Sequence, residues 1–316
     1  MPNHTLQLTL CDLPLTFFMD ILTAIILGIV QGLTEFIPIS STAHLVFASR
    51  WTNVYNGNPE QITATMAVIQ LGTLAAVFVY FASDIIGITT AFLRDHWAVL
   101  TRKRGFRFSG TGGIRPIWLS EEAWLGWLII IGSIPIGVVG LYFKDIIEGP
   151  ATKNLWIIAT MMIAVAVLLI IAELLGSQRK ELRDFGLLDS LAVGFAQVLS
   201  LIPGASRSGS TIMGGLFAGQ KREAAAKFSF LLMIPAITAS GLLELKEIVQ
   251  KNLISSDDVV ALGIGTLVAG IVGYLSIWFL LAFLRKNSTA IFIIYRIIVG
   301  AVILGLLYFG YLSPQV

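Results

Sequence analysis

The side chains able to do chemistry fall in two short runs of otherwise apolar sequence. The first, Gln31-Gly-Leu-Thr-Glu-Phe-Ile-Pro-Ile-Ser-Ser-Thr-Ala-His44, holds Gln31, Glu35, Ser40, Ser41, Thr42 and His44. The second, Pro203-Gly-Ala-Ser-Arg-Ser-Gly-Ser-Thr211, holds Gly204, Ser206, Arg207, Ser208, Gly209, Ser210 and Thr211. Ionisable groups inside apolar sequence are costly to keep, which makes Glu35, His44 and Arg207 presumptive functional residues. Gln31 and Glu35 are four apart and share one helix face. Beyond Pro38 the chain restarts as a helix, with Ser40 or Ser41 as the natural N-cap. If Ser41 is the cap, His44 is the third helical residue, within a turn of it. Pro203-Gly204 repeats the device, with Ser206 or Ser208 at the helix start. Two helix N-termini rich in hydroxyls, with an arginine between them, make an anion site. The fork of the guanidinium favours phosphate.

Plainer readings compete with this one. Any single hydroxyl or glycine here serves equally well to let membrane helices pack closely. Glu35 and Arg207 can be read as a purely structural ion pair, and His44 as a packing histidine. The joint occurrence of Glu, Ser-Ser, His and Ser-Arg-Ser in two related runs favours function. Arg296 is ambiguous and is read as snorkelling towards the Arg285-Lys286 end of its segment.

The elements that must position these residues follow from composition. The 316 residues are 56% hydrophobic and only 13% charged, against ~25% charged in a soluble domain. Mean hydropathy is +0.85. No water-facing surface can be built from this, and disordered chains are polar, so the chain is a polytopic membrane protein. Six stretches reach the ~20 apolar residues that a bilayer demands: Ile62–Ala82, Ala123–Phe143, Asn154–Ala172, Phe228–Leu245, Val259–Leu284 and Ala290–Leu312. The two chemistry-bearing regions, about 21–50 and 187–219, are broken mid-way by Pro and small polar residues. Their halves suit re-entrant hairpins. The expected fold is all-α: six transmembrane helices plus two re-entrant helical hairpins, in one membrane domain of residues 1–316.

Lys and Arg orient the chain. Segments 83–121, 177–186, 220–227 and 285–289 together hold fourteen, and the opposite loops hold Arg50, Lys144, Lys153, Lys246 and Lys251. The first face is therefore expected in the cytoplasm and both termini outside. Segment 94–116 reads as a basic cytoplasmic connection. In this orientation the hairpins enter from opposite faces. They also resemble one another, Gly28–Thr34 matching Gly194–Ser200 and Phe36–Ser41 matching Leu201–Ser206, with a one-residue gap at Glu35. That is the pattern of an inverted-topology repeat. Lone Cys11 permits no internal disulfide, no basic leader precedes the first apolar stretch, and a net charge of +2 carries no nucleic-acid signal.

The two long motifs resemble the signatures of the undecaprenyl-diphosphatase family of the bacitracin-resistance type, and the likeness extends over nearly the whole chain. Phe228-Ser-Phe-Leu-Leu232 before Pro235 and Tyr295-Arg296 also match. The resemblance implies removal of the terminal phosphate from a C55 polyprenyl diphosphate in the bacterial plasma membrane. It further implies recycling of a cell-wall lipid carrier, bacitracin resistance, a site open to the outer leaflet, and a Mg²⁺ or Ca²⁺ cofactor. Gln31 is the neutral variant at the family's first motif position. The other membrane phosphatase class is excluded because no Pro-Ser-Gly-His motif occurs.

On this footing Arg207 clamps the departing phosphoryl oxygens, helped by the half-helix N-termini and by backbone N–H groups near Gly204 and Gly209. Glu35 with Gln31 holds the metal. Ser41 is the candidate nucleophile, with His44 as its base or as general acid. Ser40, Thr42, Ser206, Ser208 and Thr211 complete the phosphate-binding set. The rival chemistry is attack by water held by His44 and Glu35. The rival function is a transporter or flippase of anionic polyprenyl phosphates, which has no use for a Glu–Ser–His cluster. Expected partners are the lipid substrate and the bilayer, with a homodimer as the candidate assembly.

Overall fold

A computed structural model describes residues 19–101, 116, 118–143 and 154–315. Among them are eleven α-helices and no β-strand. They are α1 (Ile21–Phe36), α2 (Ser41–Thr52), α3 (Pro59–Tyr80), α4 (Ala82–Leu100), α5 (Glu121–Tyr142), α6 (Leu155–Leu175), α7 (Leu187–Val198), α8 (Arg207–Phe217), α9 (Arg222–Lys251), α10 (Val259–Leu284) and α11 (Ala290–Tyr308). Six of these helices, α3, α5, α6, α9, α10 and α11, are long and apolar enough to cross a membrane. Each coincides with one expected span. Cys11, Lys144, Lys153 and five of the cations counted in 83–121 (Arg102, Lys103, Arg104, Arg107 and Arg115) lie outside the described residues.

Local chemistry starts these helices where expected. Asp20 caps α1, accepting from Thr23 N at 2.7 Å. Asn58 caps α3 with Pro59 in the first turn, Ser120 caps α5 and Asn154 caps α6. α1 stops two residues short of Pro38, since the residue before a proline is driven out of helical geometry.

One expectation is corrected. Segment 83–121, counted as a loop between spans with 94–116 as its basic connection, is helical over Ala82–Leu100. Asp84, Arg94, Asp95 and His96 lower its hydropathy, yet the fold satisfies them. Lys227 reaches Asp84 at 2.7 Å, and buried Asp95 accepts from Ser120 N at 2.7 Å, tying α4 to the start of α5. Ile86, Leu93, Trp97 and Leu100 form its exposed stripe.

The four helices bearing the motifs have 16, 12, 12 and 11 residues. At ~1.5 Å per residue none matches the ~30 Å hydrocarbon thickness. The α1–α2 pair begins and ends on the same side of the molecule, where Met19, Val54 and Tyr55 share one apolar cluster and Met19 N donates to Asp258 at 2.7 Å. At that side also lie the start of α6 and the chain end, joined by Leu155 N to Pro314 O at 2.9 Å. The α7–α8 pair closes on itself at the far end of α6. There Lys180 meets Asp189 at 2.6 Å, Arg179 N meets Gly219 O at 2.9 Å, and Glu173 binds Arg222 at 2.7 Å and Thr289 N at 2.8 Å. Both pairs dock by the same device. A Cβ at Gly28 in α1 would strike Gly265 O of α10, and one at Gly194 in α7 would strike Gly132 O of α5. The tips meet over a buried aromatic cluster in which Phe36 and Phe230 pack edge to face at 5.4 Å.

Candidate functional site

A polar cavity of ≈ 180 Å³ lies between the two helix breaks. α1 contributes Gln31 and Glu35, α2 contributes Ser41 and Thr42, α3 contributes Gln70, and the second break contributes Gly204, Ser206 and Arg207. Glu35 is buried and is the hub of the first motif. Ser41 Oγ donates to Glu35 Oε2 at 2.9 Å and Gln31 Nε2 donates to the same oxygen at 3.2 Å. Gln70 Nε2 approaches Oε1 at 3.4 Å. A serine hydroxyl held on a carboxylate with access to a cavity is the arrangement an activated oxygen nucleophile requires.

Arg207 opens α8 on the other wall. Its Nε and Nη1 are buried with no hydrogen-bond partner. Among the described residues no ion pair links it to Glu35, so the structural-pair reading fails. Unsatisfied guanidinium donors inside a protein are expensive, and these two belong to a side chain that also lines the cavity. The start of α8 adds its dipole, with Ser206 Oγ accepting from Gly209 N at 3.2 Å. No side chain caps α2, where Ser40 is the N-cap residue.

The remaining sequence-chosen residues divide. Thr42, Gly204 and Ser206 line the cavity. Ser40, Ser208, Gly209 and Thr211 are buried behind it. Ser208 Oγ donates to Ile37 O at 3.4 Å, Thr211 Oγ1 donates to Arg207 O at 2.8 Å and also meets Ser229, and Gly209 lies against Arg296. In the described structure no hydrogen bond joins His44 to Ser41. Its Nδ1 sits 2.7 Å from Ser40 O, which makes Nδ1 the protonated nitrogen, and Nε2 accepts from Tyr295 at 2.7 Å beneath a stacked ring. A histidine one turn along reaches back to the carbonyl at i−4, and that bond commits Nδ1 to Ser40 O.

Arg296 does not snorkel. It is fully buried, and each guanidinium nitrogen donates to backbone carbonyls, those of Met162, Met161, Pro38, Gly204 and Ala205 between them. Gln70, like Ser200, is a polar cavity residue that sequence reasoning passed over. Its signal was an amide inside an otherwise apolar span, less conspicuous than a charge. Among the described residues no group of three or more His, Cys, Asp or Glu converges. One carboxylate flanked by two amides and a hydroxyl still fits a hard cation that takes its other ligands from phosphate oxygens and water.

Comparison with known proteins agrees with this geometry. Residues 24–302 match the family described as Bacitracin resistance protein BacA. The chain is 45% identical over 291 residues to the undecaprenyl-diphosphatase of Syntrophobacter fumaroxidans, covering 92% of this chain and 98% of that protein. It is 45% identical over 302 residues to that of Chlorobium phaeobacteroides, covering 93% and 100%. It is 44% identical over 297 residues to that of Myxococcus xanthus, covering 94% and 92%. Match length, identity and the placement of both motifs around one cavity agree: the chain belongs to the bacitracin resistance protein BacA family.

Proposed function

We propose that this chain is a membrane-embedded phosphatase that converts undecaprenyl diphosphate to undecaprenyl phosphate and inorganic phosphate, and thereby confers bacitracin resistance. The observation that carries the chemistry is Ser41 hydrogen-bonded to Glu35 at 2.9 Å, in a cavity that Arg207 also lines. Ser41 Oγ attacks the terminal phosphorus as its proton passes to Glu35. The bond to the bridging oxygen breaks, and the polyprenyl monophosphate departs with that electron pair. Glu35 passes that proton to the departing oxygen, then takes one from water as the water oxygen attacks the phosphoserine phosphorus, and returns it to Ser41 Oγ as inorganic phosphate leaves. Arg207, the α8 N-terminus and the Ser206 hydroxyl hold the phosphoryl oxygens, where charge neutralisation supplies most of the catalysis.

Glu35, with the carbonyl oxygens of Gln31 and Gln70 once those amides turn, would hold a Mg²⁺ or Ca²⁺ ion. The ion supplies further charge neutralisation on the diphosphate. His44 secures the Ser40 turn in the ligand-free geometry and becomes an acid or base only by releasing Tyr295. With His44 engaged there, the rival of direct water attack rests on Glu35 alone.

The membrane reading follows. The α1–α2 and α7–α8 pairs are re-entrant hairpins of an inverted repeat, supported by their short arms, their return to the side they start from, and the matched contacts of Gly28 and Gly194. Matching the left-handed serines, Ser40 with Ser206, pairs Ser41 with Arg207. That is one position from the sequence-run pairing, because the second turn spends an extra residue after its proline. The fourteen-to-five bias of Lys and Arg puts α1–α2 at the outer face of the plasma membrane. Exposed Trp51, Tyr308, Phe309 and Tyr311 sit at that face as an aromatic belt. The deciding experiment is phosphate release from C55 diphosphate by purified protein in detergent, with and without chelator. Lipid binding without phosphate release, Mg²⁺ or Ca²⁺ present, would transfer the case to a transporter.

A further inference from the structure

Arg296 is the largest fully buried side chain in the described residues. Among those residues no carboxylate pairs with it. Its guanidinium joins three pieces of backbone instead. Nε and Nη2 donate to Met162 O and Met161 O of α6 at 3.0 and 3.3 Å. Nη1 donates to Pro38 O in the first turn at 3.3 Å. Nη2 also donates to Gly204 O and Ala205 O in the second, both at 3.0 Å. Each turn ends on a serine in the left-handed region, Ser40 at φ 79° and Ser206 at φ 70°. Such a conformation is unfavourable for any residue but glycine and persists only where its surroundings impose it. The Ser40 side chain offers no compensation, since its Oγ is buried without a partner. The carbonyls that Arg296 holds lie one or two residues before these serines. The residues just after them are Ser41 and Arg207.

We propose that Arg296 is a positioning residue for phosphate release: it locks both turns in their left-handed state and so presents Ser41 and Arg207 to one cavity. Ser208 Oγ also touches both turns, 3.4 Å from Ile37 O and 3.2 Å from Ser206 Oγ, but Arg296 gathers backbone carbonyls of both turns and of α6 onto one guanidinium, and a lone buried cation is too costly to be filler. The inference rests on reading this cavity as the phosphate-release site.

The test compares wild type, Arg296→Lys, and Arg296→Lys with Ser40→Gly. Lysine keeps the charge but cannot bridge carbonyls on three segments with a planar fork. Arg296→Lys should lower kcat roughly 100-fold with KM within about threefold. Amide hydrogen exchange at 37–41 and 202–207 should rise at least about tenfold, with α6 unchanged. Ser40→Gly in that background should restore about tenfold in kcat, because glycine adopts φ 79° at no steric cost. Unchanged kcat and exchange in Arg296→Lys, or no recovery with glycine, overturns the proposal. If Arg296→Lys does not survive purification, monodisperse recovery of the double variant is the same rescue read as stability, and its failure counts against the brace. Wild-type protein that releases no phosphate would strike the reading of the cavity instead, while the exchange measurement still reports on Arg296.

Discussion

Ser41→Ala tests the proposed chemistry most directly. The substitution removes one hydroxyl, whose hydrogen bond in the described structure is the 2.9 Å one to Glu35. A hydrogen bond to a charged group is worth about 1.5–3 kcal/mol. Glu35 keeps Gln31 and Gln70 as donors, so the loss of stability should fall at or below the bottom of that range. Activity should fall far more, by at least about 10³-fold, because the oxygen that forms the covalent bond is gone. Glu35→Gln removes the proton acceptor and should cost about 10²–10⁴-fold. It also sets an amide N–H beside two amide donors, so Gln31 or Gln70 must turn. Serine and carboxylate act as a unit here, and the double variant should be within about threefold of the worse single one. The assay is initial phosphate release at saturating metal, with size-exclusion profiles to establish folding. Ser41→Ala retaining more than about a tenth of the wild-type rate refutes the serine nucleophile and leaves attack by water positioned on Glu35.

Arg207→Lys keeps a charge but loses the fork, and should reduce kcat about 10²-fold in a folded protein; a near-normal rate would show that charge alone suffices. His44→Ala should cost about 10–100-fold, less than Ser41→Ala, since His44 holds Ser40 and Tyr295 rather than the serine hydroxyl; equal severity would return it to the role of base. With Cys11 replaced, a cysteine at Glu60 should react with an impermeant thiol reagent on intact cells and one at Asn287 should not; the opposite pattern reverses the orientation. Burial alone would raise the Asp95 carboxyl, but donors from Ser120 and the adjacent Arg94 outweigh it and leave it below its ordinary value. A carboxyl lower in the folded than in the unfolded state stabilises above the ordinary carboxylate range and loses that contribution as pH falls through it. The stability gap between wild type and Asp95→Asn should therefore narrow below about pH 4; a gap independent of pH would refute the assignment.

The sequence by itself determined the architecture that lipid enforces. Where no water is present, a spanning segment must be a long apolar helix, and all six were legible from length and composition. Pro135 and Pro235 lie inside continuous helices, but Pro38 and Pro203 are each followed by small polar residues, so both interrupted regions were legible too, as was the gathering of Glu35, Ser41 and Arg207 within them. Tertiary structure alone decided which polar groups meet. Sequence spacing put His44 a turn from Ser41, but its ring bonds its own i−4 carbonyl and Tyr295, a residue 251 positions away. Arg296 read as an arginine reaching for water because its charge was visible in the sequence and its carbonyl partners on three distant segments were not. Gln70 enters the site from α3 only when that helix packs beside α1. α4 was missed because its charged residues lowered its hydropathy, and their partners Lys227 and Ser120 lie far along the chain. Propensity and hydropathy are properties of neighbours in sequence, whereas the satisfaction of a buried polar group depends on neighbours in space.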